Sequence, residues 1–124
     1  MDIRCINPLV LAYLGDAIYE EYIRIYLIEE GFSKVNELQK EAIHYVSAKA
    51  QAAFLDQMIR DDLLTEEEMD MVKRARNTKS HQSPKGCSII EYKKATALEA
   101  LIGSLKLEGK TDRMEEIINY IVRK

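Results

Sequence analysis

The scarcity of proline and glycine limits what this chain can fold into. Two prolines and five glycines in 124 residues leave long uninterrupted segments, and apolar residues within those segments recur every three or four positions. No segment alternates polar and apolar residues in the way a half-buried strand does. The sequence therefore predicts an all-α helical bundle with one core, forming a single domain over residues 1–124.

Capping residues and apolar periodicity divide the chain into six predicted helices. The predicted starts, in chain order, are Asn7-Pro8, Ser33, Ser47, Thr65, Ser88 and Thr111. The first helix is expected to end near Glu30, the fourth near Asn77 and the fifth near Glu108. The expected apolar faces contain Val35, Leu38, Ala42 and Ile43 in the second helix, Ala50, Ala53, Phe54, Gln57 and Met58 in the third, and Met114, Ile117, Ile118 and Ile121 in the sixth.

Two acidic residues are each the only charge within an apolar helical stretch. Asp16 lies within residues 9–19 and Glu99 within residues 95–103. An ionised carboxylate in apolar surroundings is costly unless it is paired or binds a metal ion. One interpretation is structural, with each acid capping a backbone group or pairing with a lysine or arginine. The other interpretation is a metal site.

Each of these acids has a glycine nearby in the helix interior. Gly15 precedes Asp16, and Gly103 lies one turn beyond Glu99. A helix-interior glycine costs about 1 kcal/mol relative to alanine, and a close crossing of two helices is the simplest reason to keep it. Helices that cross at these glycines would bring the two carboxylates into one site, where they repel unless a cation lies between them. Oxygen ligands favour Mg²⁺, with Mn²⁺ as a second candidate.

Both apolar stretches resemble signatures of the ribonuclease III family. Residues 13–17, Tyr-Leu-Gly-Asp-Ala, resemble the family motif F-L-G-D-[AS], and residues 99–103, Glu-Ala-Leu-Ile-Gly, resemble its second motif, E-A-L-I-G. The separation of about 80 residues also fits. The resemblance covers nearly the whole chain as a catalytic domain. No double-stranded-RNA-binding domain follows before Lys124, and residues 73–77, Lys-Arg-Ala-Arg-Asn, also resemble the Mini-ribonuclease III subfamily.

The resemblance implies a fold, an activity and a set of partners. The fold would be the helical bundle of a ribonuclease III catalytic domain. The activity would be divalent-metal-dependent endoribonuclease cleavage of double-stranded RNA that leaves 5′-phosphate and 3′-hydroxyl ends. Asp16 and Glu99 would be both the catalytic residues and the ligands of Mg²⁺ or Mn²⁺. The subfamily implies a cytoplasmic homodimer that matures the 5′ and 3′ ends of the 23S ribosomal RNA precursor.

The sequence departs from the wider family at three acidic positions. The family's glutamates four and seven positions before the motif aspartate are Ala12 and Leu9 here, and its aspartate three positions before the second glutamate is Thr96. Only Asp16 and Glu99 therefore carry over, which predicts a sparse ion site that retains many waters. Glu20, one turn after Asp16, is a further candidate ligand.

Positive charge collects in the segment from Met71 to Ile90, which contains no acidic residue. The expected RNA-binding residues are Lys73, Arg74, Arg76, Asn77, Lys79 and Lys85. A basic segment in a chain of net charge −3 is typical of a phosphate-contacting surface, although an ordinary solvated loop is the alternative. By the resemblance, Arg76 and Asn77 would lie near the scissile phosphate.

Two other functional classes remain open from the sequence. The lost acids at positions 9, 12 and 96 would suit a non-catalytic module of the same fold that binds structured RNA or ribosomal components. A helical regulator with structural acids is the other class. No apolar run reaches the roughly 18 residues of a membrane span, and the N-terminus lacks the apolar core of a secretory signal. We therefore expect a cytoplasmic protein with no membrane partner.

Overall fold

Helices account for all the regular secondary structure in the part of the chain that our computed structural model describes, residues 2–78 and 86–122. A short 3₁₀ helix, Ile3–Cys5, precedes the α-helices. These are α1 (Pro8–Glu29), α2 (Val35–Val46), α3 (Ala48–Arg60), α4 (Glu66–Arg76), α5 (Ile89–Leu107) and α6 (Thr111–Val122). The predicted all-α class is confirmed, and none of these helices is long and apolar enough to cross a membrane.

Helix α5 forms the centre of the bundle. From Ala95 to Leu105 every residue except Glu99 is buried. Helices α1, α3 and α4 all pack against α5, and α6 contacts it as well. A helix that is apolar all round needs partners on several sides, which explains why α5 is the central helix. Glu99, the only charge in this buried stretch, is half-buried and therefore reaches a surface groove.

Side-chain caps begin most of the helices at the predicted positions. The Asn7 side chain accepts from the Leu9 N–H ahead of α1, and the Ser47 hydroxyl accepts from the Ala50 N–H in α3. Thr65 and Ser88 each form a complete capping box, with Glu68 and Glu91 respectively. These bonds satisfy N–H groups that the first helical turn leaves without intrahelical acceptors.

The predicted Ser33 cap of the second helix is wrong. The turn that ends α1 continues through Phe32, whose N–H donates to the Leu27 carbonyl at 3.2 Å. The cap position of α2 is Lys34, which makes no side-chain capping bond. The predicted apolar face of α2 is only half realised, because Leu38 packs against the core whereas Ile43 is exposed.

The predicted apolar face of α3 is partly correct, since Met58 is buried and Phe54 packs against the core, whereas Ala53 is exposed. The buried residues are Gln51, Ala52, Leu55 and Met58, so the helix is rotated from the expected face and only Met58 is common to both. The predicted face of α6 is confirmed, since all four of its isoleucine and methionine residues are buried. The rotation of α3 places Gln51 against α5, with consequences for the site described below.

Candidate active site

Helices α1 and α5 cross at backbone contact through two glycines. A Cβ atom on Gly15 would lie 1.7 Å from the carbonyl oxygen of Glu99, and one on Gly103 would lie 2.1 Å from the carbonyl oxygen of Leu11. No side chain fits at either position without a shift of backbone atoms. The close crossing inferred from the two glycines is confirmed, and it brings the flanking acids together.

The two acids meet in an open groove of about 460 Å³. Helices α1, α3 and α5 and the end of α2 form its walls, and its lining residues include Asp16, Gln51, Thr96 and Glu99. Asp16 is exposed, whereas Glu99 is half-buried. The expectation that both acids lie in apolar surroundings therefore holds for Glu99, but Asp16 faces solvent from an outward side of its helix.

The surroundings of Glu99 oppose its ionisation. Burial, then the charge of Asp16, and then a hydrogen bond to the Asp16 carboxylate together raise the pKa of Glu99 to about 8, against a smaller opposing effect of the Gln51 amide. A cation between the two carboxyls would remove this repulsion. Carboxylate oxygens suit a hard divalent ion.

The supply of further acidic ligands is limited. Within residues 2–78 and 86–122, no group of three or more His, Cys, Asp or Glu side chains is arranged to hold a metal ion. The Glu20 carboxylate lies 3.6 Å from Arg24 Nη2 and is not among the groove residues. Thr96 Oγ1 donates to the Tyr92 carbonyl at 2.9 Å. The donor set therefore fits an ion held by two carboxylates and several waters.

Sequence reasoning missed Gln51 as a member of the site. Its side chain is only 2% exposed, and Nε2 donates to Glu99 Oε2 at 3.3 Å and to the Val46 carbonyl at 3.0 Å. The signal in the sequence was a lone amide among the alanines of α3. The expected apolar face of that helix, through Ala50 and Ala53, turned Gln51 away from the core.

The predicted RNA-binding residues that the structure describes are not in the groove. Lys73, Arg76 and Asn77 are exposed at the end of α4, and none of them lines the groove that contains Asp16 and Glu99. The predicted residues Lys79 and Lys85 lie outside the described residues.

Arg74 differs from its neighbours in having backbone partners. Its guanidinium donates to the carbonyls of Ile3, Arg4 and Ile6 at 3.3, 3.0 and 2.7 Å. Arg74 therefore ties the N-terminal segment to α4, which leaves fewer of its donors available to a phosphate than Lys73 and Arg76 have.

Comparison with known proteins identifies the family of this chain. The family model for the ribonuclease III domain matches residues 9–110, which include both acids and both glycines. The chain belongs to the ribonuclease III family. It is similar to Mini-ribonuclease 3 of Enterococcus faecalis, at 49% identity over 99% of this chain and 93% of the relative. Mini-ribonuclease 3 of Brevibacillus brevis is 54% identical over 90% of this chain and 82% of the relative.

A solved structure gives the same result for the fold of this ribonuclease III family member. A protein of Fusobacterium nucleatum, known from a crystal structure, superimposes with a TM-score of 0.89 at 40% sequence identity, covering 100% of this chain and 99% of that one. The resemblance read from the motifs is confirmed, and the chain is an endoribonuclease of ribonuclease III type. The relatives give no support to a binding-only module or a helical regulator.

Proposed function

We propose that this ribonuclease cleaves double-stranded RNA in a divalent-metal-dependent reaction, with Asp16 and Glu99 as its essential carboxylates. One observation carries the proposal: the crossing at Gly15 and Gly103 brings the two carboxyls together in one open groove. Such a pair requires a proton or a cation between its members. Mg²⁺ is the preferred ion and Mn²⁺ the alternative, because both accept oxygen ligands and retain waters.

The roles of the two carboxylates follow from their positions. When bound, the ion supplies positive charge at the scissile phosphate and acidifies a water. Asp16, on the solvent side, and Glu99, on the inner wall, would hold the ion at the groove surface where a phosphate can reach it. In hydrolysis a water oxygen bonds to phosphorus and the bond from phosphorus to the 3′ oxygen breaks. That oxygen takes up a proton, which leaves 5′-phosphate and 3′-hydroxyl ends.

RNA contacts are proposed for the basic segment that follows the middle of α4. Lys73, Arg76 and Asn77 are exposed there, and Lys79 and Lys85 follow in the sequence. Lysine and arginine side chains would contact phosphates, and reading of A-form RNA would depend on shape rather than on base identity. Arg74 would contribute mainly by holding the N-terminal segment in place.

A homodimer is proposed because a duplex has two strands to cut. One site per subunit across a two-fold axis would cleave both strands. The N-terminal half of α1 supports this arrangement, since Val10 is 57% exposed and Tyr13 84% exposed beside the groove. Exposed apolar side chains next to a catalytic groove are suited to an interface with a second subunit.

The resemblance to Mini-ribonuclease III supports a more specific substrate. We propose that the enzyme matures the 5′ and 3′ ends of the 23S ribosomal RNA precursor in the cytoplasm. Mapping the ends of that RNA in cells lacking the enzyme tests this step. Unprocessed extensions on 23S RNA support it, and normal ends refute it.

The central test is cleavage of a duplex RNA by purified protein with and without Mg²⁺, read on a denaturing gel. We expect Asp16→Asn and Glu99→Gln to abolish cleavage, because each removes one of two charges that hold the ion. Glu21→Gln is the matched control, since it neutralises an exposed acid of α1 outside the groove. Full activity in Asp16→Asn, or full activity in excess EDTA, would refute the two-carboxylate mechanism.

A further inference from the structure

The side-chain amide of Gln51 is satisfied on one side only. Nε2 donates to the Val46 carbonyl at the end of α2 and to Glu99 Oε2. Oε1 is buried and has no hydrogen-bond partner among residues 2–78 and 86–122. A buried carbonyl oxygen without a partner is unfavourable, because it has lost its hydrogen bonds to water and gained none in the protein. Such a feature, placed against a catalytic carboxylate, calls for an explanation.

The Val46 carbonyl determines the orientation of the amide. If the amide were turned by 180°, Oε1 would face the Val46 carbonyl, which can only accept. Such a contact is unfavourable. Thr96 lines the same groove, and its hydroxyl already donates to the Tyr92 carbonyl at 2.9 Å. A water in the groove can supply the donor that Oε1 lacks.

We propose that Gln51 is the third member of the ion site, with Nε2 holding Glu99 in position and Oε1 accepting hydrogen bonds from the hydration shell of the divalent ion. This inference rests on the proposed metal dependence. Gln51 lines the same groove as Asp16 and Glu99. A neutral oxygen is well suited to this place, because Mg²⁺ and Mn²⁺ retain waters that need acceptors, and because it adds no charge to two carboxyls that already repel each other.

Gln51 is thus a positioning residue that acts through Glu99 and through water. A site with two carboxylates can then hold an ion, because the Gln51 amide takes the place of a third acid in the wall of the site. Outer-shell partners of this type typically change metal affinity by about 10- to 100-fold when they are removed. We expect an effect of this size on ion binding in the absence of RNA.

The test measures Mn²⁺ binding by electron paramagnetic resonance of the full chain without RNA. Gln51→Leu keeps the side-chain size and removes both amide functions, and we expect it to weaken Mn²⁺ binding by about 10-fold or more. Gln57→Leu is the matched control on the same helix, outside the groove, and should bind as the wild type does. Gln51→Met also removes both amide functions while following the shape of the glutamine side chain, and it should weaken Mn²⁺ binding to a similar extent.

Asp16→Asn separates this inference from the proposed function. If Asp16→Asn loses Mn²⁺ binding and Gln51→Leu retains wild-type affinity, the role of Gln51 is refuted and the two-carboxylate site stands. If the wild type binds no Mn²⁺, or Asp16→Asn binds as the wild type does, both proposals fail. Thermal melts in EDTA check folding. If Gln51→Leu does not fold, Gln51→Met decides, and wild-type affinity in that variant overturns the inference.

Discussion

Replacement of Gly15 by alanine tests the helix crossing on which the whole site depends. The added Cβ would lie 1.7 Å from the Glu99 carbonyl oxygen, so α1 and α5 would have to separate by roughly 1.5–2 Å to restore ordinary contact. Overpacking of this kind costs about 1–3 kcal/mol and occasionally more. The better helix propensity of alanine returns about 1 kcal/mol. Because the obstructing atom belongs to the backbone of the central helix, we expect net destabilisation of about 2 kcal/mol.

The same substitution should reduce activity more than stability alone would. A displacement of α1 relative to α5 moves Asp16 away from Glu99, and a misplacement of about 1 Å in a catalytic site can cost about 100-fold in rate. Urea unfolding followed by circular dichroism measures the free energy of unfolding. Cleavage of duplex RNA well below the unfolding midpoint measures the rate, so that loss of folded protein does not contribute.

Ala17→Gly provides the matched control on the same helix. Ala17 is exposed, so its replacement by glycine measures helix propensity without a packing change, and should lower the free energy of unfolding by about 1 kcal/mol. If propensity alone governed position 15, Gly15→Ala would raise stability by a similar amount. A variant of Gly15 that is as stable and as active as the wild type would refute the close crossing.

Three further predictions concern pH, a buried ion pair and salt. In EDTA, the stability of the wild type should fall as the pH rises from about 4.5 towards 8. Folded Glu99 has a raised pKa of about 8 and retains a proton that the unfolded chain releases. Thermal melts should therefore show Glu99→Gln to be more stable than the wild type at pH 8 and little different from it at pH 5. Arg113→Met should destabilise the fold by about 2–4 kcal/mol in urea titrations, because it removes the guanidinium that contacts the buried Glu68 carboxylate at 2.8 Å. Burial alone would raise the pKa of Glu68, but the Arg113 bonds lower it, so the stabilisation should be lost as the pH falls below about 4.5. A variant as stable as the wild type at neutral pH contradicts this account. Joint replacement of Lys73 and Arg76 by alanine should flatten the dependence of RNA affinity on salt by about one logarithmic slope unit per phosphate contact, and an unchanged slope in binding titrations would exclude these residues as phosphate contacts.

Much of the site could be predicted from local sequence because its principal signals are local conflicts. A lone carboxylate and an interior glycine both oppose what an apolar helix otherwise prefers. Two such conflicts, around Asp16 and around Glu99, have a common explanation in one crossing of two helices. The crossing geometry bears this explanation out at Gly15 and Gly103.

The residues that the sequence misplaced depend on packing between distant segments. The sequence predicted Arg74 to contact RNA as part of a basic run. Its guanidinium instead donates to carbonyls of the N-terminal segment, about 70 residues away along the chain. Gln51 was missed because α3 is rich in alanine, so its 3.6-residue periodicity leaves several faces of similar hydrophobicity. Packing of Leu55 and Met58 into the core turns the face that carries Gln51 inward.

The amino-acid order alone was enough for the helical class, the helix starts at Asn7, Ser47, Thr65 and Ser88, and the pairing of the two acids with two glycines. These features arise from capping, periodicity and propensity, which act over one or two helical turns. The fold determined the exposure of Asp16, the raised pKa of Glu99 and the burial of the Gln51 amide. Those properties depend on solvent exclusion and charge proximity between helices far apart in the sequence, and they exist only after α1, α3 and α5 have packed together.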